Sequence, residues 1–102
     1  MLHMVVATHG PDMCAAVIPE IRDKAVSAFK RMDEVAKKLG VTVNGGWGNM
    51  PGHVMYMICD APNAHVVNQM AAELQLMDWR TVIVSPVISF DEIQTRLQQL
   101  KK

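Results

Sequence analysis

Two histidines and a cysteine are the residues of this chain best suited to chemistry near neutral pH. They stand in the pattern His9-x-x-Asp12-x-Cys14, with His53 far downstream. An imidazole accepts a proton near neutrality and ligates metals, and a thiolate is a nucleophile or a soft ligand. Two imidazoles and one thiolate suit Zn(II) or Cu, and Ni(II) where oxygen or backbone nitrogen ligands join them. Asp12 stands where it could orient a histidine through its second ring nitrogen. Each residue also has a plainer reading. His9 and His53 fall in turn segments, where an imidazole can simply bond backbone or water. Cys14 can be a small apolar filler.

Whether these residues meet depends on the elements between them. His53 ends the stretch Trp47-Gly48-Asn49-Met50-Pro51-Gly52-His53, which separates the apolar runs Val41 to Val43 and Val54 to Cys59. Pro-Gly is a turn signal: proline presets φ and glycine tolerates the positive φ that a turn can need next. Residues 2 to 8 read as a first strand, ended by the turn residues His9-Gly10-Pro11-Asp12. Met13 to Ile18 admits one helical turn. Pro19 then opens a helix whose apolar stripe is Ile21, Ala25, Ala28, Phe29, Met32, Val35, Ala36 and Leu39, closed by Gly40. Strands follow at Val41 to Asn49 and His53 to Cys59. Asn63 caps a second helix with Val66, Val67, Met70, Ala71, Leu74 and Met77 at helical spacing. Trp79 to Ile88 is β-rich. Ser89-Phe90-Asp91-Glu92 fits a capping box before a short last helix, Asp91 to Leu100.

This order, βαββαβ, predicts an α+β ferredoxin-like domain over residues 1 to 102, with a four-stranded antiparallel sheet and two helices on one face. Right-handed crossovers put the first strand between the third and fourth, and the second at an edge. The end of the first strand then lies beside the start of the third. His9 and His53 share that rim, with Asp12, Cys14, Trp47 and Asn49 near it. A bulge at Gly45-Gly46 would shift the hairpin by one residue. His65 falls at the opposite rim, outside this cluster. The strands are apolar on both faces, as in Met55, Met57 and Cys59 against Val54, Tyr56 and Ile58. The short last helix is too small to cover the second face. A homodimer packed sheet to sheet is therefore expected; the alternative is a monomer with that helix folded under the sheet.

Composition narrows the partners. The chain has 102 residues, half of them hydrophobic, and a formal net charge of zero. No basic stripe points to nucleic acid, and no basic leader or long apolar run points to a signal peptide or membrane span. A cytoplasmic protein is expected. Two cysteines, Cys14 and Cys59, at opposite ends of the sheet make no disulfide framework. The nine methionines are read mainly as core packing.

The run Val35-Ala36-Lys37-Lys38-Leu39-Gly40-Val41 into a Gly-Trp strand, Tyr56 to Asp60-Ala61-Pro62 with Val66-Val67, and Val84 to Glu92 together resemble the dimeric α/β-barrel superfamily. The likeness is to its small branch near the GYD-type and nickel-binding members. It covers most of the chain, and it implies fold more than chemistry, since that superfamily spans haem degradation, cofactor-free oxygenation, isomerisation, dye-type peroxidation and ligand sensing. In its haem-degrading members a histidine of the second helix ligates iron. Trp47 and Asn44 could stand for the neighbouring tryptophan and asparagine, but nothing around His65 matches that motif. Three functions remain. The leading one is a homodimeric binding domain with a metal ion or small organic ligand at the His9/His53 rim, walled by Trp47, Asn49 and Tyr56. The second is a cofactor-free monooxygenase or isomerase with His9 or His53 as general base. The third is a structural assembly module without a site.

Overall fold

The computed structural model describes residues 1–100. Strands β1 (Leu2–Thr8), β2 (Thr42–Asn49), β3 (Val54–Asp60) and β4 (Thr81–Pro86) form one antiparallel sheet in the order β2-β3-β1-β4. The helices are α1 (Pro19–Leu39), α2 (Ala64–Glu73) and α3 (Phe90–Gln99). The layout is ferredoxin-like, with the strand order expected from right-handed crossovers.

Strand parity decides which side chains face the helices. His3, Val5 and Ala7 of β1 are buried, and they pair with Cys59, Met57 and Met55 of β3. Of these, Val5, Met57 and Cys59, with Met55 packed against them, join Ile21, Ala28 and Val35 of α1 and Val67, Met70 and Ala71 of α2 in one apolar core. Met4, Val6, Tyr56, Ile58 and Ile83 point to the other face by the same register. Among the described residues, nothing covers that face. Ile83 is 57 % exposed and Tyr56 38 %.

Local signals explain the helix ends. Pro19 occupies the first turn of α1, where a missing N–H costs no hydrogen bond. Gly40 takes the left-handed conformation (φ 71°), and the next N–H, of Val41, donates to Ala36 O at 2.9 Å. Asn63 Oδ1 accepts from the Val66 N–H at 3.0 Å, and Ser89 Oγ from the Glu92 N–H at 3.1 Å.

Four expectations change. The helical spacing that reached Met77 does not keep one helix: α2 stops at Glu73, and Gln75 turns left-handed (φ 60°) before a 3-10 turn at Leu76–Asp78. The chain must reverse there to reach β4, so Leu76 is buried and Met77 is exposed. The one-turn helix sits at Pro11–Met13, ahead of Met13 to Ile18. The bulge of β2 falls one residue early, at Asn44, between the pairs Val43–Cys59 and Gly45–Ile58. In the hairpin, the residue with positive φ is His53 (φ 57°), not Gly52, because the turn closes with the His53 N–H donating to Met50 O at 3.2 Å.

α3 stands off the body. None of its residues is buried, and Phe90, Ile93, Leu97 and Leu100, spaced three and four apart, remain exposed. The radius of gyration, 15.7 Å, exceeds the roughly 13 Å of a compact chain this long.

A Cβ at Gly40 would meet no atom within 4 Å, so Gly40→Ala tests the backbone alone. It should lower unfolding free energy by about 1–2 kcal/mol, read as an earlier urea midpoint with an unchanged slope.

Candidate functional site

β1 ends, β3 begins and β4 begins at one rim of the sheet, where Thr8 pairs with both Val54 and Thr81. His9 follows Thr8, and its N–H donates to His53 O at 3.2 Å. The two side chains meet as well: His9 Nε2 and His53 Nδ1 are 3.2 Å apart, with the rings edge to face at 4.9 Å between centroids. The left-handed backbone of His53 helps to aim its ring there. A non-glycine residue in that region is unfavourable by about 1 kcal/mol or more, a pattern common at functional sites.

Cys14 completes the cluster. Its carbonyl accepts from the N–H groups of Val17 and Ile18, and the Arg22 side chain donates to Ala15 O and Ala16 O at 3.1 and 3.0 Å. These bonds tie the Cys14 turn to α1. One ligand atom from each of His9, Cys14 and His53 lies within 4.8 Å of the other two. A tetrahedral zinc with its usual Zn–N bonds holds two nitrogens roughly 3.3 Å apart. The 3.2 Å between the imidazoles already matches that spacing, while the thiol needs only a rotamer-scale approach.

The protonation of the pair follows from its partners. His9 Nδ1 is buried with no hydrogen-bond partner. An orphaned N–H donor is costlier than an orphaned lone pair. The assignment that avoids it has His9 Nε2–H donating to His53 Nδ1. His9 is also held neutral: burial foremost, then the Arg80 guanidinium, then His53 keep its pKa below the ordinary 6.5.

Trp79 and Arg80 also belong to this rim, and the sequence reading passed over them. Trp79 is buried against His9, with ring centroids 5.4 Å apart, and Arg80 lays its guanidinium over the Trp79 ring, 4.1 Å from the centroid. The signal was present: the strand order that joins His9 to His53 brings the residue before Thr81 to the same rim.

A cavity of about 460 Å³ opens from this cluster between α1 and the β2–β3 hairpin. Ala25, Phe29 and Met32 of α1, Val43 of β2, and Met55 and Met57 of β3 give it apolar walls. The Asn44 bulge turns Gly46 and Gly48, partners of Met57 and Met55, toward the helices. A Cβ at Gly48 would meet nothing within 4 Å, and one at Gly46 only Tyr56 O at 3.6 Å. The glycines leave the volume open.

The remaining candidates are distributed as follows. Trp47, Asn49 and Tyr56 all border the cavity. Register nevertheless assigns Trp47 and Tyr56, a cross-strand pair, to the outer face, where Trp47 overlies Gly45. Asn49 Oδ1 accepts from the Gly52 N–H at 3.0 Å and serves the turn. Asp12 is exposed and does not orient His9, whose Nδ1 lacks any partner. The 3-10 turn at Pro11–Met13 carries it outward. His65 is exposed on α2, at the far rim. Cys59 is buried there and, like Cys14, is a free thiol. No protein-family model matches the chain, and no curated protein does either.

The lowered pKa of His9 links the rim to stability. The unfolded chain takes up this proton more readily, so His9 leaves stability intact above pH 6.5 and lowers it as pH falls through that value toward the folded pKa. In metal-free protein, an NMR titration should give His9 a midpoint below that of an unfolded histidine. Arg80→Gln should raise the midpoint only partway, because burial remains.

Proposed function

We propose that this protein is a homodimeric binding domain that holds a transition metal ion through His9, Cys14 and His53, as a member of the dimeric α/β-barrel superfamily. The observation that carries the metal reading is the approach of three ligand-bearing side chains to within 4.8 Å. Zinc suits the set best, with copper next; nickel would need further oxygen or nitrogen ligands. Metal binding would replace the proton shared by the imidazoles. His9 would then carry its proton on Nδ1, where it has no acceptor, at a cost of about 1–3 kcal/mol. That cost, and a position left for a fourth ligand, suit an exchangeable or functional ion rather than a structural one.

Support for the dimer is the uncovered sheet face of Met4, Val6, Tyr56, Ile58 and Ile83, together with the apolar stripe of α3. Contiguous apolar patches of this kind mark interaction surfaces. Among the described residues, no helix is long and apolar enough to cross a membrane. Free buried thiols suit a reducing compartment, so we assign the protein to the cytoplasm.

A second reading, a cofactor-free monooxygenase or isomerase, draws on one feature. His9 is kept neutral beside an apolar cavity, as a general base must be before it takes a proton.

Protein purified without a histidine tag should contain metal, or take up one Zn(II) or Co(II) per chain, with thiolate-to-Co(II) absorption. His53→Asn is the better variant, since asparagine tolerates the left-handed backbone that alanine would strain. It and His9→Gln should each weaken the ion by more than about tenfold and leave the far-ultraviolet circular dichroism unchanged. Absence of uptake under reducing conditions would refute the metal reading.

Light scattering should give a dimer at micromolar concentration. Ile83→Lys on the outer face should yield monomer or unfolded chain, because a charge buried without a partner is strongly destabilising. Wild-type monomer throughout that range would rule out the dimer.

A further inference from the structure

We propose that the cavity binds a small organic carboxylate with an apolar, bicyclic-sized body, anchored through its carboxylate by Arg80. The proposal rests on reading this cavity as a ligand site, and it is independent of the metal.

Arg80 is a half-buried cation that no carboxylate among the described residues pairs with; the nearest group that can carry negative charge is the Cys14 thiol. The ion pairs among the described residues join Met1 to Asp60, Lys24 to Asp78, Lys38 to Glu73 and Arg96 to Glu92; none includes Arg80. Its one protein hydrogen bond runs from Nη1 to Ala7 O at 3.4 Å, near the limit of such a bond. Its Nε is buried without a partner. Stacking on Trp79 holds the guanidinium plane, which reduces the entropy a ligand must remove when it binds the fork. A planar fork of N–H donors matches a carboxylate in two parallel hydrogen bonds.

The rest of the cavity selects the body of the ligand. Among the described residues that line it, Arg80 is the only permanently charged one, and Phe29, Met32, Met55 and Met57 are apolar. Its volume, about 460 Å³, lies within the range of small-molecule sites, about 300–1,000 Å³. One cation and an apolar wall favour a singly charged carboxylate over a phosphate, which carries more charge near neutrality. The open backbone of Gly46 and Gly48 admits a flat ring against the sheet.

Calorimetry with 1-naphthoate and its neutral amide tests the proposal on protein stripped of metal by chelation. The wild type should bind naphthoate more tightly than the amide by about ten- to a hundredfold. Arg80→Gln should erase that preference while still binding the amide. Gly48→Leu, with Arg80 intact, should weaken both by filling the cavity. Arg80→Lys should retain part of the preference, since the charge stays and the fork is lost. Equal affinity for acid and amide, or no binding of either, overturns the proposal. So does a preference that survives Arg80→Gln, or naphthoate binding untouched by Gly48→Leu. Metal uptake is read separately on the wild type: carboxylate binding without it would refute the metal reading alone, and uptake without carboxylate binding would refute this one alone.

Discussion

One extra residue in an edge strand governs the interior of this protein. Asn44 has no partner in the β2–β3 ladder, so the alternation of side chains reverses after Val43. Had the ladder run unbroken, Gly45, Trp47 and Asn49 would face the helices, and the indole would fill the space beneath α1. With the bulge, Gly46 and Gly48 face inward and Trp47 faces out, 62 % exposed. The cavity therefore follows from a backbone irregularity combined with glycines at two alternate positions. The same slip adds an aromatic ring to the apolar outer face.

Electrostatics at the rim follow from withdrawal from water. Three groups that water would normally satisfy crowd together: two imidazoles and a guanidinium, with a thiol beside them. Burial lowers the pKa of His9 and also that of Arg80, because the charged form is the one that loses hydration. Among the described residues, no carboxylate enters to offset this. Asp12 sits too far out on its 3-10 turn, and Asp78 is engaged by Lys24 at 3.1 Å. The site is thus electron-rich at nitrogen and sulfur and cationic at one corner. Such a site favours an ion that imidazole and thiolate can ligate and an anion that guanidinium can chelate.

Among the described residues, two apolar surfaces remain without cover: the outer face of the sheet and the stripe of α3. They differ in origin. The sheet is apolar on both faces because strands such as β3 carry large side chains at every position from Val54 to Cys59. The stripe of α3 is the ordinary amphipathic pattern of a surface helix, here lacking the body it would normally pack against. A helix that buries nothing gains little from tertiary contact, and short isolated helices are marginal in water. The capped start at Ser89 and the Glu92–Arg96 pair at 3.0 Å provide local support.

Much of the architecture was legible in the residues. The stripe from Ile21 to Leu39, the caps at Gly40, Asn63 and Ser89, and the alternation of turns with apolar runs each act locally. Together they determined the element order, and handedness then determined the strand order and brought His9 to His53. Local pattern could not locate the bulge, because three glycines between Val43 and Asn49 leave the register weakly specified. Nor could it tell that the turn would close with His53 left-handed, that Gln75 would end α2 before Met77, or that Asp12 would swing outward. Those outcomes depend on where distant segments pack. Strand order already carries Trp79 and Arg80 to the rim, but the tertiary structure alone decided their role there, which comes from burial beside His9 and from the absence of an acidic neighbour among the described residues, neither of which is written in the spacing of residues along the chain.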